Sequence, residues 1–111
     1  MTEKDKKYLS DILIAINLIE EFLEGINSFG KYSTDSKTKS AIERQLVIIG
    51  EAVNNFLRSS PSNTLKSAQK IVNFRNRLVH AYDSVDDNIV WVIIQNHLLP
   101  LKTEVINQLS A

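Results

Sequence analysis

Apolar residues recur along the chain at alternating steps of four and three, which is the spacing of one face of an α-helix. The first of these stripes consists of Tyr8, Ile12, Ile16, Ile19, Leu23 and Ile26, and the second of Ile42, Leu46, Ile49, Val53 and Phe56. Only three Gly and two Pro interrupt the 111 residues, which favours helices over a set of short strands. The pattern predicts an all-α protein with almost no strand.

Residues with capping chemistry mark where the helices begin. The first three helices are predicted to start at Thr2 with Asp5, at Thr34 or Asp35, and at about Leu65. The fourth starts at the polar turn 83–87, with Asp86 and Asp87, and the last segment at Pro100. Residues 28–33 and 59–64 are the predicted connections. Short connections between amphipathic helices make neighbouring helices antiparallel. We therefore expect an up-and-down bundle of four or five helices in which residues 1–111 form one domain.

The first helix is apolar on more than one side. Leu13, Ile14, Leu18 and Phe22 widen its stripe beyond the needs of a simple surface helix. A helix of this kind must cover both apolar sides, so we expect it to pack into the bundle and against a second subunit.

Composition excludes several classes of protein. The absence of Cys excludes a disulfide framework, a thiolate zinc site and a cysteine nucleophile. No apolar run approaches the roughly 20 residues of a membrane span, and the charged start leads into no signal segment. We expect a soluble, cytoplasmic protein that has no membrane contact.

The net charge of zero conceals an uneven distribution. Residues 52–82 contain five basic residues and no Asp or Glu, so the remainder is acidic by the same amount. Such a segment indicates either ordinary surface patchiness or a local anion site.

The third helix carries the most unusual stripe, which runs Leu65, Ala68, Val72, Arg75, Val79 and Tyr82. Arg75 thus falls at a core-facing position, where a charge must be paired. Two interpretations remain open: an ion pair with Glu51 or Glu43, or a guanidinium held in a cleft for a phosphate. Gly50, inside the second helix, indicates either a close approach by another helix or ligand, or an incidental glycine.

A polar row lies on the other face of the third helix and consists of Lys66, Lys70, Asn73, Arg77 and His80. Such a row is usually a solvated face. At its end, however, residues 75–82 combine two guanidiniums, an amide, an imidazole and a phenol. These groups suit phosphodiester cleavage by an internal 2′-hydroxyl without a metal, since His can carry a proton near neutral pH. Ideal geometry points His80 roughly 140° from Arg75, so the two converge only if the helix ends near His80 or a partner subunit completes the site. A lone His at a helix C-terminus is more often a cap than a catalyst.

Arg75, His80 and Tyr82 match the R-x4-H-x-Y signature of HEPN-domain ribonucleases, and the chain more narrowly resembles the HepT-like toxins. The similarity extends to residues 48–52, to Asn76, to 78–80 and to 85–91, with matching spacing from about Asp11 to Leu109. Where relatives often start the third helix with Pro-Trp, this chain has residues 63–65 as Asn-Thr-Leu.

The resemblance implies a dimeric helical bundle with metal-independent RNA endonuclease activity. It implies that Arg75 contacts the scissile phosphate and that His80 does acid–base work. Asn76, Tyr82 and Glu51 would be supporting polar groups. It further implies a toxin–antitoxin system in which a nucleotidyltransferase antitoxin, MntA-like, transfers AMP to Tyr82 and thereby silences the enzyme.

Two rival interpretations accompany this one. The first is a non-catalytic helical module that only binds a nucleotidyltransferase through the same motif. The second, a metal enzyme, lacks a ligand cluster, because His97 stands alone near a helix end and Asp86 and Asp87 look like helix caps. We expect no metal and no cofactor.

Overall fold

The helices follow the predicted order in the computed structural model. The structure describes residues 1–80 and 85–111, and for Val79 and His80 it describes the backbone only. The elements are α1 (Glu3–Phe22), α2 (Phe29–Ser33), α3 (Ser36–Ser59), a 3₁₀ turn (Lys66–Ala68), α4 (Gln69–His80), α5 (Asp87–Asn96) and α6 (Leu98–Ser110). The described residues contain no strand. The all-α helical bundle is confirmed, with six α-helices rather than the predicted four or five.

Side-chain caps fix three helix starts where the sequence predicts them, whereas α6 begins at Leu98, two residues before the predicted Pro100, without a side-chain cap. Thr2 Oγ1 accepts from the backbone N–H of Asp5 at 3.1 Å, and Asp5 Oδ2 accepts from that of Thr2 at 3.4 Å, which completes a capping box. Asp35 begins α3 by accepting from the N–H of Thr38 at 3.0 Å. Asp86 begins α5 by accepting from the N–H of Asn88 at 2.9 Å. Each carboxylate supplies an acceptor to an N–H group that the helix itself cannot satisfy.

The core is centred on α1 and α3, the two long helices, which pack extensively against each other. Helix α4 packs on α3, α6 packs on α1, and α5 packs on α6 and α2. The fully buried large side chains of α1 and α3 are Leu9, Ile12, Ile16, Ile19, Ile42, Leu46, Ile49 and Phe56. Most of these belong to the predicted stripes, and their burial is the main source of stability.

The predicted connection at residues 28–33 is instead mostly helix, α2. Ser28 caps it by accepting from the N–H of Lys31 at 3.2 Å. Tyr32 is fully buried, and its ring centroid lies 5.5 Å from that of Trp91. The rings of Phe29 and Trp91 meet edge to face, with their centroids 6.2 Å apart. A five-residue helix is too short to show a helical period, and these aromatic contacts with α5 stabilise it.

Helix α4 is held at its start by a side chain from α6. The two carboxylate oxygens of Glu104 accept from the backbone N–H groups of Lys66 and Ser67, at 2.8 and 2.9 Å. These N–H groups belong to the 3₁₀ turn that leads into α4. The entry to α4 therefore needs no Pro-Trp pair, because a carboxylate distant in sequence satisfies its first donors.

The core face of α4 differs from the predicted stripe. Leu65 and Ala68 are buried as expected, but the buried positions that follow are Ile71 and Phe74. Arg75 follows Ile71 by four residues, so it sits about 40° round the helix, at the edge of the core. Of the other predicted positions, Val72 is half-buried, while the Val79 side chain and Tyr82 lie outside the described residues. The expectation of a core-facing Arg75 is corrected to an edge position.

Within the described part of the chain, no helix has both the length and the apolarity needed to span a bilayer.

Candidate functional site

Helices α3 and α4 come very close together at Gly50 and Arg75. A Cβ atom built on Gly50 would lie 2.6 Å from Cβ of Arg75 and 2.8 Å from its Cγ, which no side chain tolerates. The methylene stem of Arg75 therefore rests directly on the α3 backbone. Of the two interpretations of Gly50, the close approach of another helix is confirmed.

The guanidinium of Arg75 lies at the rim of this contact, with its side chain 24% exposed. Nη1 donates to Oδ1 of Asn76 at 3.1 Å, and Nη2 is 3.8 Å from Oε1 of Glu51, longer than a hydrogen bond. Nε is buried and has no hydrogen-bond partner among the described residues. A buried Nε cannot reach a ligand, but a guanidinium has five N–H donors, and among the described residues only one on Nη1 makes a hydrogen bond, so donors on Nη1 and Nη2 at the rim remain for a ligand.

Three of the predicted site residues thus come together: Arg75, Asn76 and Glu51. The Glu51 side chain is 55% exposed, so water screens its attraction for Arg75. The guanidinium can exchange this loose carboxylate contact for a phosphate, which its planar fork binds well. The ion pair and the phosphate site, the two interpretations left open by the sequence, are compatible with one geometry.

Glu43, the other carboxylate considered for Arg75, belongs to a different cluster. It precedes Gly50 by seven residues, about 10 Å along α3, and Arg75 pairs with Glu51 instead. Burial raises the pKa of Glu43, and the negative charge of Asp87 raises it further. Asp87 pairs with Lys39 at 2.8 Å, which ties α5 to α3. The cluster also surrounds Tyr32, whose pKa is raised mainly by burial and then by these carboxylates.

Two predicted site residues cannot be placed with the others. The backbone of α4 is helical as far as His80. The His80 side chain and Tyr82 lie outside the described residues. Their convergence with Arg75 stays a prediction.

A groove of about 540 Å³ opens between α4 and α5. The core-facing residues of α4 separate this groove from Arg75, which lies on the other flank of the helix. Its lining residues are Lys70, Asn73, Phe74, Arg77, Ile89, Val92, Ile93 and His97. The first four come from α4, three of them from the polar row. The apolar wall from α5 could not be inferred from the α4 pattern, since it depends on how the two helices pack. The row is therefore not a plain solvated face.

His97, expected to pack or cap near a helix end, lies at the junction of α5 and α6. Its backbone N–H donates to the carbonyl of Ile93 at 2.9 Å, which ends α5. Its side chain makes no cap hydrogen bond to α6 and lines the groove instead. Within residues 1–80 and 85–111, no three His, Asp or Glu side chains group in a way that could hold a metal ion.

Comparison with known proteins matches the sequence to one family. A family model described as ribonuclease HepT-like matches residues 12–107. A Thermococcus cleftensis protein named "Probable ribonuclease HepT" is 38% identical over 106 residues, 92% of this chain and 93% of that protein. A "Putative RNase" of Methanocaldococcus jannaschii is 32% identical over 109 residues, 95% of this chain and 97% of that protein. No solved structure matches. These matches confirm the resemblance found in the sequence, and the chain belongs to the ribonuclease HepT-like family.

Proposed function

We propose that this protein is a metal-independent RNA endonuclease that acts as the toxin of a toxin–antitoxin pair. The observation that carries the proposal is the Arg75 guanidinium, positioned by Gly50 and Asn76, with Nη donors at the rim that a phosphate can reach. Membership of the ribonuclease HepT-like family supports RNA as the substrate.

The proposed reaction is attack by the 2′-hydroxyl of RNA on the adjacent phosphate. His80 takes the hydroxyl proton as the O2′–P bond forms, and the P–O5′ bond breaks as a proton reaches the 5′-oxygen. Arg75 neutralises the charge that develops on the phosphate oxygens, which is where fixed donors contribute most to catalysis. The products are a 2′,3′-cyclic phosphate and a 5′-hydroxyl.

A homodimer fits this chemistry, because a second His80 can supply the proton that the leaving oxygen needs. Support for a second subunit comes from α1, where Ile14 is 58% exposed and Leu18, one turn further along, is only partly buried. This apolar strip is the side of the wide stripe that the bundle leaves uncovered.

The direct test is cleavage of a fluorescent RNA in excess EDTA, alongside the same RNA with one 2′-deoxy nucleotide at the mapped cut. We expect cleavage in EDTA, cyclic-phosphate ends by mass spectrometry, and no cut at the deoxy position. Cleavage that stops in EDTA, or that proceeds at the deoxy position, would contradict the mechanism. A complete lack of cleavage, together with a stable complex with a nucleotidyltransferase, would favour the non-catalytic module.

We further propose that a partner nucleotidyltransferase, MntA-like, silences the enzyme by transferring AMP to Tyr82. Tyr82 is two residues from His80, so the added phosphate would place negative charge and bulk beside the groups that must meet RNA.

Intact mass before and after incubation with an MntA-like nucleotidyltransferase, plus ATP, tests the regulation. We expect a gain of one or more AMP groups, fragmentation that maps AMP to Tyr82, and loss of RNA cleavage. Tyr82→Phe is the matched control and should cleave RNA but resist silencing. Silencing of Tyr82→Phe by the same treatment would contradict the proposed regulation but not the proposed ribonuclease activity.

A further inference from the structure

We propose that the groove between α4 and α5 binds the single RNA strand next to the bond that is cut. The inference rests on the proposed function, since it assigns that activity a substrate-binding surface. It concerns the residues of the polar row, which the catalytic chemistry at Arg75 does not use.

The shape of the groove suits a nucleotide. Its volume of about 540 Å³ lies within the range of small-ligand sites. Ile89, Ile93 and Val92 of α5, with Phe74 of α4, form an apolar wall, and Val92 remains well exposed to solvent. A base can lie against this wall, because each base has an apolar face and packs without regard to its sequence.

The polar lining is complementary to the phosphate backbone. Lys70 and Arg77 lie two helical turns apart, about 10 Å along the axis, and can each contact a phosphate. Between them Asn73 accepts from Nε2 of Gln69 through Oδ1 at 2.8 Å, which leaves its amide N–H groups as donors. The described lining residues include no Asp or Glu. This combination of cations and amide favours a polyanion over an apolar peptide.

The course of α4 connects the groove to the predicted chemistry. The row continues from Lys70 through Arg77 to His80, at steps of seven and three residues, on one helix. A strand lying along the row is therefore led toward the motif end of α4. The protein has no net charge, so a few grouped cations rather than a general basic surface would position the RNA.

The test is fluorescence anisotropy of a labelled eight-nucleotide single-stranded RNA that carries 2′-O-methyl groups and cannot be cut. We expect Lys70→Ala/Arg77→Ala to weaken binding at least about tenfold and to reduce the slope of log K against log salt by about 0.7 per lost phosphate contact. The matched control is Lys4→Ala/Lys31→Ala, which removes the same charge from exposed residues of α1 and α2 and should bind RNA as the wild type does.

Further variants separate this inference from the proposed function. Loss of cleavage in Arg75→Ala tests the catalysis and is judged separately from affinity, whereas Val92→Glu should lose affinity for the uncut RNA through repulsion of the phosphates. A chain without any ribonuclease activity that still binds RNA through Lys70 and Arg77 would support the groove and refute the catalysis.

Three outcomes would overturn the inference. The variant Lys70→Ala/Arg77→Ala could bind RNA as tightly as the control Lys4→Ala/Lys31→Ala does. AMP could displace the oligonucleotide at equal concentration, which would make the groove a mononucleotide site. Val92→Glu could change the sedimentation coefficient but not RNA affinity, which would make the groove a contact between copies of this chain.

Discussion

Replacing Arg75 by Ala should lower the single-turnover rate of RNA cleavage by at least about a thousandfold, the range seen when an Arg that stabilises phosphoryl transfer is lost. The loss should appear at saturating RNA, because the guanidinium acts on charge that develops as the phosphate reacts. Arg75→Lys keeps the charge but loses the planar fork and the Nε donor, so its cleavage rate should fall between those of the wild type and Arg75→Ala. Rapid-quench kinetics in EDTA measures all three proteins.

Two controls distinguish chemistry from folding. Arg44→Ala removes an exposed guanidinium from α3 and should cleave RNA at the wild-type rate. Arg75→Ala should retain its helical circular dichroism, since the residue lies at the edge of the core and its ion pair with Glu51 is long and half-exposed. His80→Ala should show a comparable loss of cleavage. Cleavage by Arg75→Ala within about threefold of the wild type would refute the proposed role.

The sequence predicts the helices well because their signals are local. The capping box at Thr2 and Asp5 and the caps at Asp35 and Asp86 each depend on residues within three positions of one another. The short α2 escapes prediction, because its stability comes from Tyr32 and its contact with Trp91, nearly sixty residues later. The role of the Glu104 carboxylate at the entry to α4 could not be predicted either, because Glu104 lies far along the chain from the N–H groups of Lys66 and Ser67 that it accepts from.

The candidate site shows the same division. The motif residues and the likeness of residues 48–52 to a family segment identify Arg75 and Glu51 from the sequence alone. The periodicity, by contrast, places Arg75 in the core, since it cannot show that Ile71 and Phe74 turn inward and leave Arg75 at the rim. The groove depends on the packing of α5 beside α4, which no pattern along one helix reveals.

The contact between Gly50 and Arg75 has the second large expected effect. Gly50→Ala should raise helix propensity by about 1 kcal/mol, yet its Cβ would lie 2.6 Å from the Cβ of Arg75. Neither atom can rotate away, so α3 and α4 must separate, and overpacking of this kind costs about 1–3 kcal/mol. We expect a lower melting temperature and at least about tenfold slower RNA cleavage, because the guanidinium moves with α4.

Gly30→Ala is the matched control, because a Cβ at Gly30 in α2 meets nothing within 4 Å. Thermal unfolding should show this variant to be as stable as the wild type or more so, with unchanged cleavage. In Gly50→Ala/Arg75→Gly the glycine moves to the other side of the contact, and the two changes in helix propensity nearly cancel. That double variant should regain most of the lost stability and none of the cleavage, which separates packing from chemistry. If Gly50→Ala melts and cleaves like Gly30→Ala, the close approach of α3 and α4 does not position Arg75.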